Sequence, residues 1–146
     1  MILPDVNVLV YAHRTDMTEH QPYARWLTAT AQGGEPFALT AATVSGFVRI
    51  VTHPKVFTTP SPIATALDFV DALTESPSCR WIEPSDRWWA MFADLSRRAG
   101  TRGNVVPDAA LAAIAVDHGC RLATADRGFA RFPDLTYFDP LDVGSA

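Results

Sequence analysis

The chain has 146 residues, of which 48% are hydrophobic and 19% are charged. This length and composition allow one domain with its own apolar core and exclude disorder, and no apolar run approaches the roughly 20 residues that span a membrane. The formal net charge of −4 argues against binding nucleic acid through bulk positive charge, but an acidic metal pocket would itself contribute negative charge.

Short apolar runs and segments with helical spacing alternate along the sequence. In chain order the pattern predicts a strand at 2–3, helices at 6–13 and 20–31, a strand at 37–39, a helix at 41–50, a helix opened by Thr59 and Pro60, a strand at 79–82, a helix capped by Ser85 that continues to Arg98, a helix at 109–118, and strands at 121–124 and 136–138. This alternation predicts a single α/β domain over residues 1–146, with a central, mostly parallel five-stranded sheet, helices on both faces and a short disordered tail.

In the helix opened by Thr59 and Pro60, the apolar positions follow helical spacing. These positions are Ile63, Ala66, Leu67, Val70 and Leu73.

Two features bear on the cellular compartment. Cys79 and Cys120 are isolated and form no metal-type pair, and the sequence does not decide whether a disulfide joins them. No basic region precedes Asp5, so the N-terminus does not resemble a secretory signal. We therefore expect a cytoplasmic protein.

Three aspartates fall where a parallel sheet would gather them. Asp5 follows the first strand, Asp126 follows the strand at 121–124, and Asp108 opens a helix. Ligands of such sheets bind beyond the carboxyl ends of the strands. Clustered carboxylates raise each other's pKa unless a cation lies among them, and Mg²⁺ or Mn²⁺ suits oxygen ligands. The arrangement predicts metal-assisted hydrolysis of a phosphoester.

Each aspartate also has an ordinary structural explanation. Asp5 fits the cap of the helix at 6–13, Asp108 fits a first-turn acid favoured by the helix dipole, and Asp126 fits a turn before Arg127. For each residue alone, the two interpretations stay open; their combined spacing favours a functional site.

The segments around these aspartates resemble the motifs of PIN domains, and among those the VapC-type toxins of bacterial toxin–antitoxin pairs. The resemblance spans nearly the whole chain, with the motifs in the expected order. The matching segments are 5–12 (DVNVLVYA), 46–54 (GFVRIVTHP), 107–115 (PDAALAAIA), 124–129 (TADRGF) and 131–133 (RFP).

The resemblance implies a role for each matching residue. Asp5, Asp108 and Asp126 would be the catalytic, metal-binding acids. Thr124 would supply a hydroxyl that orients a ligand or water, and Asn7 would form hydrogen bonds at the edge of the site. Many members carry a fourth acid at the position that is Gly46 here, so this pocket has one carboxylate fewer.

The resemblance also implies an activity and partners. The activity would be endonucleolytic cleavage of RNA, with tRNA as one candidate, by a water activated by Mg²⁺, or alternatively Mn²⁺. The partners would be a cognate VapB-type antitoxin and a second copy of the chain. The aromatic residues Trp88, Trp89 and Phe92 would serve that homodimer or belong to the core.

Arginine side chains near the predicted site are candidates for contacts with substrate phosphates, because the guanidinium fork binds phosphate through two hydrogen bonds. The candidates are Arg49, Arg97, Arg98, Arg102 and Arg127.

Two other functions compete with this prediction. A phosphatase with an aspartate nucleophile would usually have a second aspartate at position 7 and a supporting lysine, but position 7 is Asn and the only lysine, Lys55, lies elsewhere. A degenerate PIN fold that binds RNA or protein without cleavage is the second alternative, and Gly46 supports it.

Overall fold

The computed structural model describes residues 1–142, in which five short strands alternate with six α-helices. The strands are β1 (Ile2–Pro4), β2 (Phe37–Leu39), β3 (Cys79–Trp81), β4 (Arg121–Ala123) and β5 (Tyr137–Phe138). The helices are α1 (Val6–His13), α2 (His20–Gln32), α3 (Ala41–Val51), α4 (Ile63–Thr74), α5 (Trp88–Ala99) and α6 (Val106–Asp117). A 3₁₀ turn at Gly103–Val105 precedes α6, and a second at Arg127–Arg131 follows β4.

The strands form one sheet in the order β3-β2-β1-β4-β5, and every pairing is parallel. Helices cover both faces, because alternate residues of a strand point to opposite sides. Leu3 and Leu122 pack into the core beneath α5 and α6, whereas Ile2 and Ala123 pack into the core beneath α1 to α4. The predicted fold class is confirmed, and β1 lies at the centre of the sheet.

The predicted starts of α4 and α5 were wrong. Helix α4 begins at Ile63 rather than at Thr59 and Pro60, with Pro62 as its N-cap residue. A residue that precedes proline avoids helical dihedral angles, so Pro62 keeps Ser61 out of the helix. Helix α5 begins at Trp88, and the hydroxyl of Ser85 instead donates to Asp117 and accepts the Arg87 N–H in the turn before the helix.

The apolar positions of α4 divide between the core and the surface. Ala66 and Leu73 are buried, and Val70 is partly buried against the core. Ile63 is 57% exposed and Leu67 is 48% exposed. Helical spacing gave the correct periodicity but not the extent of the face that the neighbouring helices cover.

The aromatic residues of α5 divide between core and surface. Trp88 and Phe92 stack at 4.9 Å between ring centroids and pack against the core, and the Trp88 indole N–H donates to the Ala110 carbonyl. Trp89 is 68% exposed.

The remaining expectations on architecture concern the cysteines, the tail and the membrane. Cys79 and Cys120 are both free thiols. The predicted disordered tail lies outside the described residues 1–142. Within those residues, no helix is long and apolar enough to cross a membrane.

Candidate active site

Asp5 lies at the point where the central strand passes into a helix. Its N–H donates to the Ala123 carbonyl and so extends the pairing of β1 with β4 by one residue. Its carboxylate then caps α1, because Oδ1 accepts the Val6 N–H at 2.7 Å. Asp5 is thus a helix cap, as the structural explanation required, and is also fixed at the carboxyl edge of the sheet.

Thr124 joins the ends of β1 and β4. Its hydroxyl donates to Asp5 Oδ2 at 2.8 Å and accepts the Asp126 N–H at 3.0 Å and an Asn7 amide N–H at 3.2 Å. A hydroxyl has one donor and two acceptor lone pairs, so protein atoms use all of them. These contacts hold Asp5 and the backbone of Asp126 in place. That Thr124 also orients a ligand or water stays a prediction.

Asn7 completes this network. Its amide nitrogen donates to Asp5 Oδ2 at 3.3 Å and to Thr124, while its Oδ1 accepts the Ala125 N–H at 3.3 Å. One side chain thereby ties the first turn of α1 to the segment that leads to Asp126.

Asp126 and Asp108 approach this network from two further elements. Asp126 is exposed and caps the 3₁₀ turn Arg127–Arg131, with its Oδ1 accepting the Gly128 N–H at 2.8 Å. Asp108 is half-buried in the first turn of α6, where the helix dipole favours an acid. The structural explanations from the sequence therefore hold for all three aspartates, and they coexist with electrostatic interactions among the three.

The three carboxylates interact electrostatically. Burial raises the pKa of Asp5; hydrogen bonds from Thr124 and Val6 oppose this, and the charges of Asp108 and Asp126 add to it. Burial raises the pKa of Asp108 most, and the negative charge of Asp126 adds to this, whereas the positive charge of Arg131 lowers it. A positive ion placed here would relieve this repulsion.

The donor chemistry fits a hard cation that keeps some of its water. Within residues 1–142, no three His, Cys, Asp or Glu side chains lie close enough to hold one ion together. Mg²⁺ is commonly held by one or two carboxylates, with waters and substrate phosphates filling the other positions. Asp5, Asp108 and Asp126 offer such oxygen donors, without forming a closed cage of three ligands.

Gly46 lies on α3 where that helix packs against α1. A Cβ atom at position 46 would be 3.1 Å from Val6 Cγ2, closer than the 3.5–4.0 Å at which carbon atoms normally pack. Val6 follows Asp5 directly, so the missing side chain lets α3 approach the residue next to the buried carboxylate.

The arginines that the sequence singled out do not contact the three aspartates. Within the described chain, Arg98 forms ion pairs with Asp94 and Asp134, at 3.2 and 2.8 Å. The other four are exposed and make no side-chain hydrogen bond or ion pair with residues 1–142: Arg49, Arg97, Arg102 and Arg127. Their contacts with a substrate stay a prediction.

Arg131 is the basic residue that the sequence analysis missed. Its Nε donates to the Gly128 carbonyl at 2.8 Å, and its charge acts on Asp108. The motif RFP contained Arg131, but only as part of the resemblance; the 3₁₀ turn that brings it back toward Asp126 has no clear signal in the sequence.

Comparison with known proteins places this site in a family. Residues 2–135 match the PIN domain. Ribonuclease VapC43 of Mycobacterium tuberculosis is 42% identical over 142 residues, which cover 97% of each chain. The chain belongs to the PIN-domain family, among the VapC ribonucleases. Ribonuclease VapC25 of the same species is 36% identical and covers 96% of this chain and 99% of its own.

Solved structures share the fold at lower identity. VapBC2 from Rickettsia felis, bound to a DNA fragment from its promoter, contains a chain with a TM-score of 0.70 and 19% identity, covering 95% of this chain and 98% of its own. FitAcB from Neisseria gonorrhoeae contains a chain with a TM-score of 0.63 and 22% identity, and the match covers 98% of this chain and 100% of that one. At these identities the likeness is one of fold, and it agrees with the PIN architecture.

Proposed function

We propose that this chain is the ribonuclease toxin of a toxin–antitoxin pair, and that it hydrolyses RNA phosphodiesters at the edge formed by Asp5, Asp108 and Asp126. The observation that carries the proposal is the buried Asp5 carboxylate, whose pKa is raised by burial and by the two other acids. The relatives that are named VapC ribonucleases support the reaction class.

A divalent ion, Mg²⁺ or Mn²⁺, would supply a bound water of lowered pKa and positive charge for the phosphate. One or two of the carboxylates of Asp5, Asp108 and Asp126 would hold that ion, with waters and substrate phosphate at its other positions. Thr124 and Asn7 act as positioning residues, because their hydrogen bonds fix the orientation of Asp5 Oδ2. Since Val6 donates to Oδ1 while Thr124 and Asn7 both donate to Oδ2, the one remaining lone pair of Oδ1 defines where an ion or its water can bind.

The family supports proposals for the substrate and the partners. We propose a structured RNA as substrate, with tRNA as the first candidate, and therefore action in the cytoplasm. We also propose a cognate VapB-type antitoxin and a homodimer. The solved VapBC complexes of the same fold support the antitoxin, since the chain similar to this one occurs there with its partner.

A degenerate PIN fold that binds RNA without cleaving it is the competing function. Gly46 and the lack of a three-ligand group within residues 1–142 favour it. The names of the relatives favour cleavage, and the experiment below separates the two functions.

The test is cleavage of bulk tRNA by purified protein freed of antitoxin, with Mg²⁺, with Mn²⁺ and with EDTA, beside the variant Asp108→Asn. We expect discrete products that require a divalent ion and disappear in the variant. Binding of tRNA without products under any metal condition would support the degenerate fold. Products that persist in Asp108→Asn would remove Asp108 from the site.

A further inference from the structure

The turn that follows Asp126 is held from both ends by charged side chains. Asp126 Oδ1 accepts the Gly128 N–H at 2.8 Å, and Arg131 Nε donates to the Gly128 carbonyl at 2.8 Å. The N–H and the carbonyl of Gly128 therefore hold the side chains of Asp126 and Arg131 on one 3₁₀ turn.

Gly128 also lets these two charged groups come close to each other. A Cβ atom on Gly128 would lie 2.9 Å from Asp126 Oδ1 and 3.1 Å from an Arg131 terminal nitrogen. Both atoms thus border the same small space above the turn. A side chain at 128 would displace one of them, so this glycine is required for their juxtaposition.

The guanidinium of Arg131 nevertheless keeps most of its donors unused. Within residues 1–142, no carboxylate oxygen lies within 4.0 Å of its nitrogens, and its terminal N–H groups make no hydrogen bond there. Arginine carries five N–H donors in a rigid fork, of which Nε–H alone is engaged. The side chain is exposed, so the fork is accessible from solvent.

The position of this fork differs from that of the other arginines near the site. Arg98 is paired with two aspartates, while Arg127 lines a cleft with Tyr137 and Phe138 on the β5 side of Asp126. Arg131 acts electrostatically on Asp108, which approaches from α6. Its charge therefore lies within electrostatic range of Asp108 and beside the Asp126 carboxylate.

We propose that Arg131 binds an RNA backbone phosphate at this site, with its Nε–H held by Gly128 and its terminal nitrogens forming the phosphate fork. This inference rests on the proposed ribonuclease function and assigns a substrate-binding residue to it. A guanidinium pairs with two phosphate oxygens at once, and a fork already oriented by the chain loses little freedom on binding. It also offsets the repulsion between the acids and the incoming phosphate.

The experiment compares Arg131→Met with Arg80→Met. Arg80 is a matched control, since it is also exposed and also donates to backbone carbonyls, those of Pro77 and Cys79. It lies on β3, in a cleft shared with Met1 and Pro36, which precede β1 and β2 at the opposite edge of the sheet. Arg131→Gln is a second neutral variant that keeps an amide donor for the Gly128 carbonyl, and Arg131→Lys keeps the charge without the fork.

Two quantities are measured for each variant after its thermal unfolding has been recorded. The first is the binding of a labelled single-stranded RNA in EDTA over a range of salt concentrations, and the second is KM and kcat for bulk tRNA with Mg²⁺. We expect Arg131→Met and Arg131→Gln to bind about tenfold more weakly, with the salt-dependence slope reduced by about 0.7, the value for one lost phosphate contact. We expect KM to rise more than kcat falls, Arg131→Lys to retain the slope, and Arg80→Met to match the wild type.

Unchanged affinity, slope and KM in folded Arg131→Gln would overturn the inference while leaving the ribonuclease function intact. A fall in kcat alone, with the slope unchanged, would also overturn it. If the wild type neither binds nor cleaves RNA, the proposed function itself fails, and that result is read from the wild type alone.

Discussion

Asp5 and Asp117 are almost equally buried, with 8% and 7% of their surface exposed, but they lie in opposite electrostatic surroundings. Asp117 ends α6, and its carboxylate accepts the Ser85 hydroxyl at 2.6 Å and the Ser85 N–H at 2.9 Å. Burial opposes the ionisation of Asp117, but these bonds and the charges of His118 and Arg87 outweigh it, so its pKa lies below the usual value.

Asp5 also accepts hydrogen bonds, yet its pKa is raised, since burial and the charges of two other aspartates act in the same direction. The fold neutralises Asp117 with its own donors and cations, whereas it leaves negative charge uncompensated around Asp5. The comparison indicates that burial alone does not set the direction in which the pKa of a carboxylate shifts. The charge that remains after the protein's own contacts are counted separates the two residues.

The largest expected effect is the loss of cleavage in Asp5→Asn, which tests this comparison. Asparagine caps a helix about as well as aspartate, so the start of α1 is kept while the charge is removed. We expect cleavage of tRNA to fall at least about a hundredfold, equivalent to about 2.7 kcal/mol. We expect the unfolding free energy to fall by about 1–3 kcal/mol, because the amide cannot accept the hydrogen bonds of Val6 and Thr124 at both positions. Initial rates and urea unfolding of the same preparation provide the measurement. Full activity in a folded Asp5→Asn protein would remove Asp5 from the chemistry.

Asp117→Asn is expected to lose stability without losing activity. The amide cannot accept both hydrogen bonds from Ser85, so one buried donor loses its partner. We expect the unfolding free energy to fall by about 1–3 kcal/mol, with the cleavage rate per folded molecule unchanged. Urea unfolding and active-fraction-corrected rates measure the two quantities. A large loss of rate at full stability would contradict the structural role of Asp117.

A third prediction concerns the response to metal. An ion that binds only the folded protein stabilises it by about 1.4 kcal/mol at ten times its Kd, which corresponds to roughly 3–6 °C in Tm for a domain of this size. We expect Mg²⁺ to raise the Tm of the wild type and of Asp117→Asn equally. The same addition should have little effect on Asp5→Asn or Asp108→Asn. Equal shifts in all four proteins would place the ion elsewhere.

The smallest effect is a difference in the sign of the pH dependence, measured in EDTA. The raised pKa of Asp5 means that its ionisation costs folding free energy as pH rises from 3.8 through the folded value. The stability of Asp5→Asn relative to wild type should therefore grow over that window and then level off. The lowered pKa of Asp117 contributes stability above 3.8 that is lost as pH falls through its folded value, so the deficit of Asp117→Asn should shrink only below 3.8. Parallel pH profiles for the two variants would show that their surroundings do not differ as described.

The order of strands and helices was predictable because periodicity and stop signals are local. The strand at Phe37–Leu39 and the helix at Val6–His13 have the predicted bounds. Errors arose where a non-local partner decided the outcome. Ser85 donates its hydroxyl hydrogen bond to Asp117, which lies 32 residues later in the sequence. The covered face of α4 depends on how the neighbouring helices pack against it.

The same division applies to the candidate site. The convergence of Asp5 with Thr124 was predictable, because both residues follow neighbouring parallel strands. Arg131 was missed because its position depends on a 3₁₀ turn and on a glycine without a Cβ atom. Sequence patterns locate strand ends well, but they do not show which exposed side chain folds back over such a turn.

The close approach of Gly46 to Val6 has an evolutionary consequence. Because a Cβ atom at 46 would press against Val6 Cγ2, an acid cannot be added there without adjustment in α1. Shortening Val6 to alanine would open room for a side chain at position 46. We therefore expect a carboxylate at position 46 to be accepted more readily after a substitution at position 6 than before it, so that a single van der Waals contact constrains the order of the two substitutions.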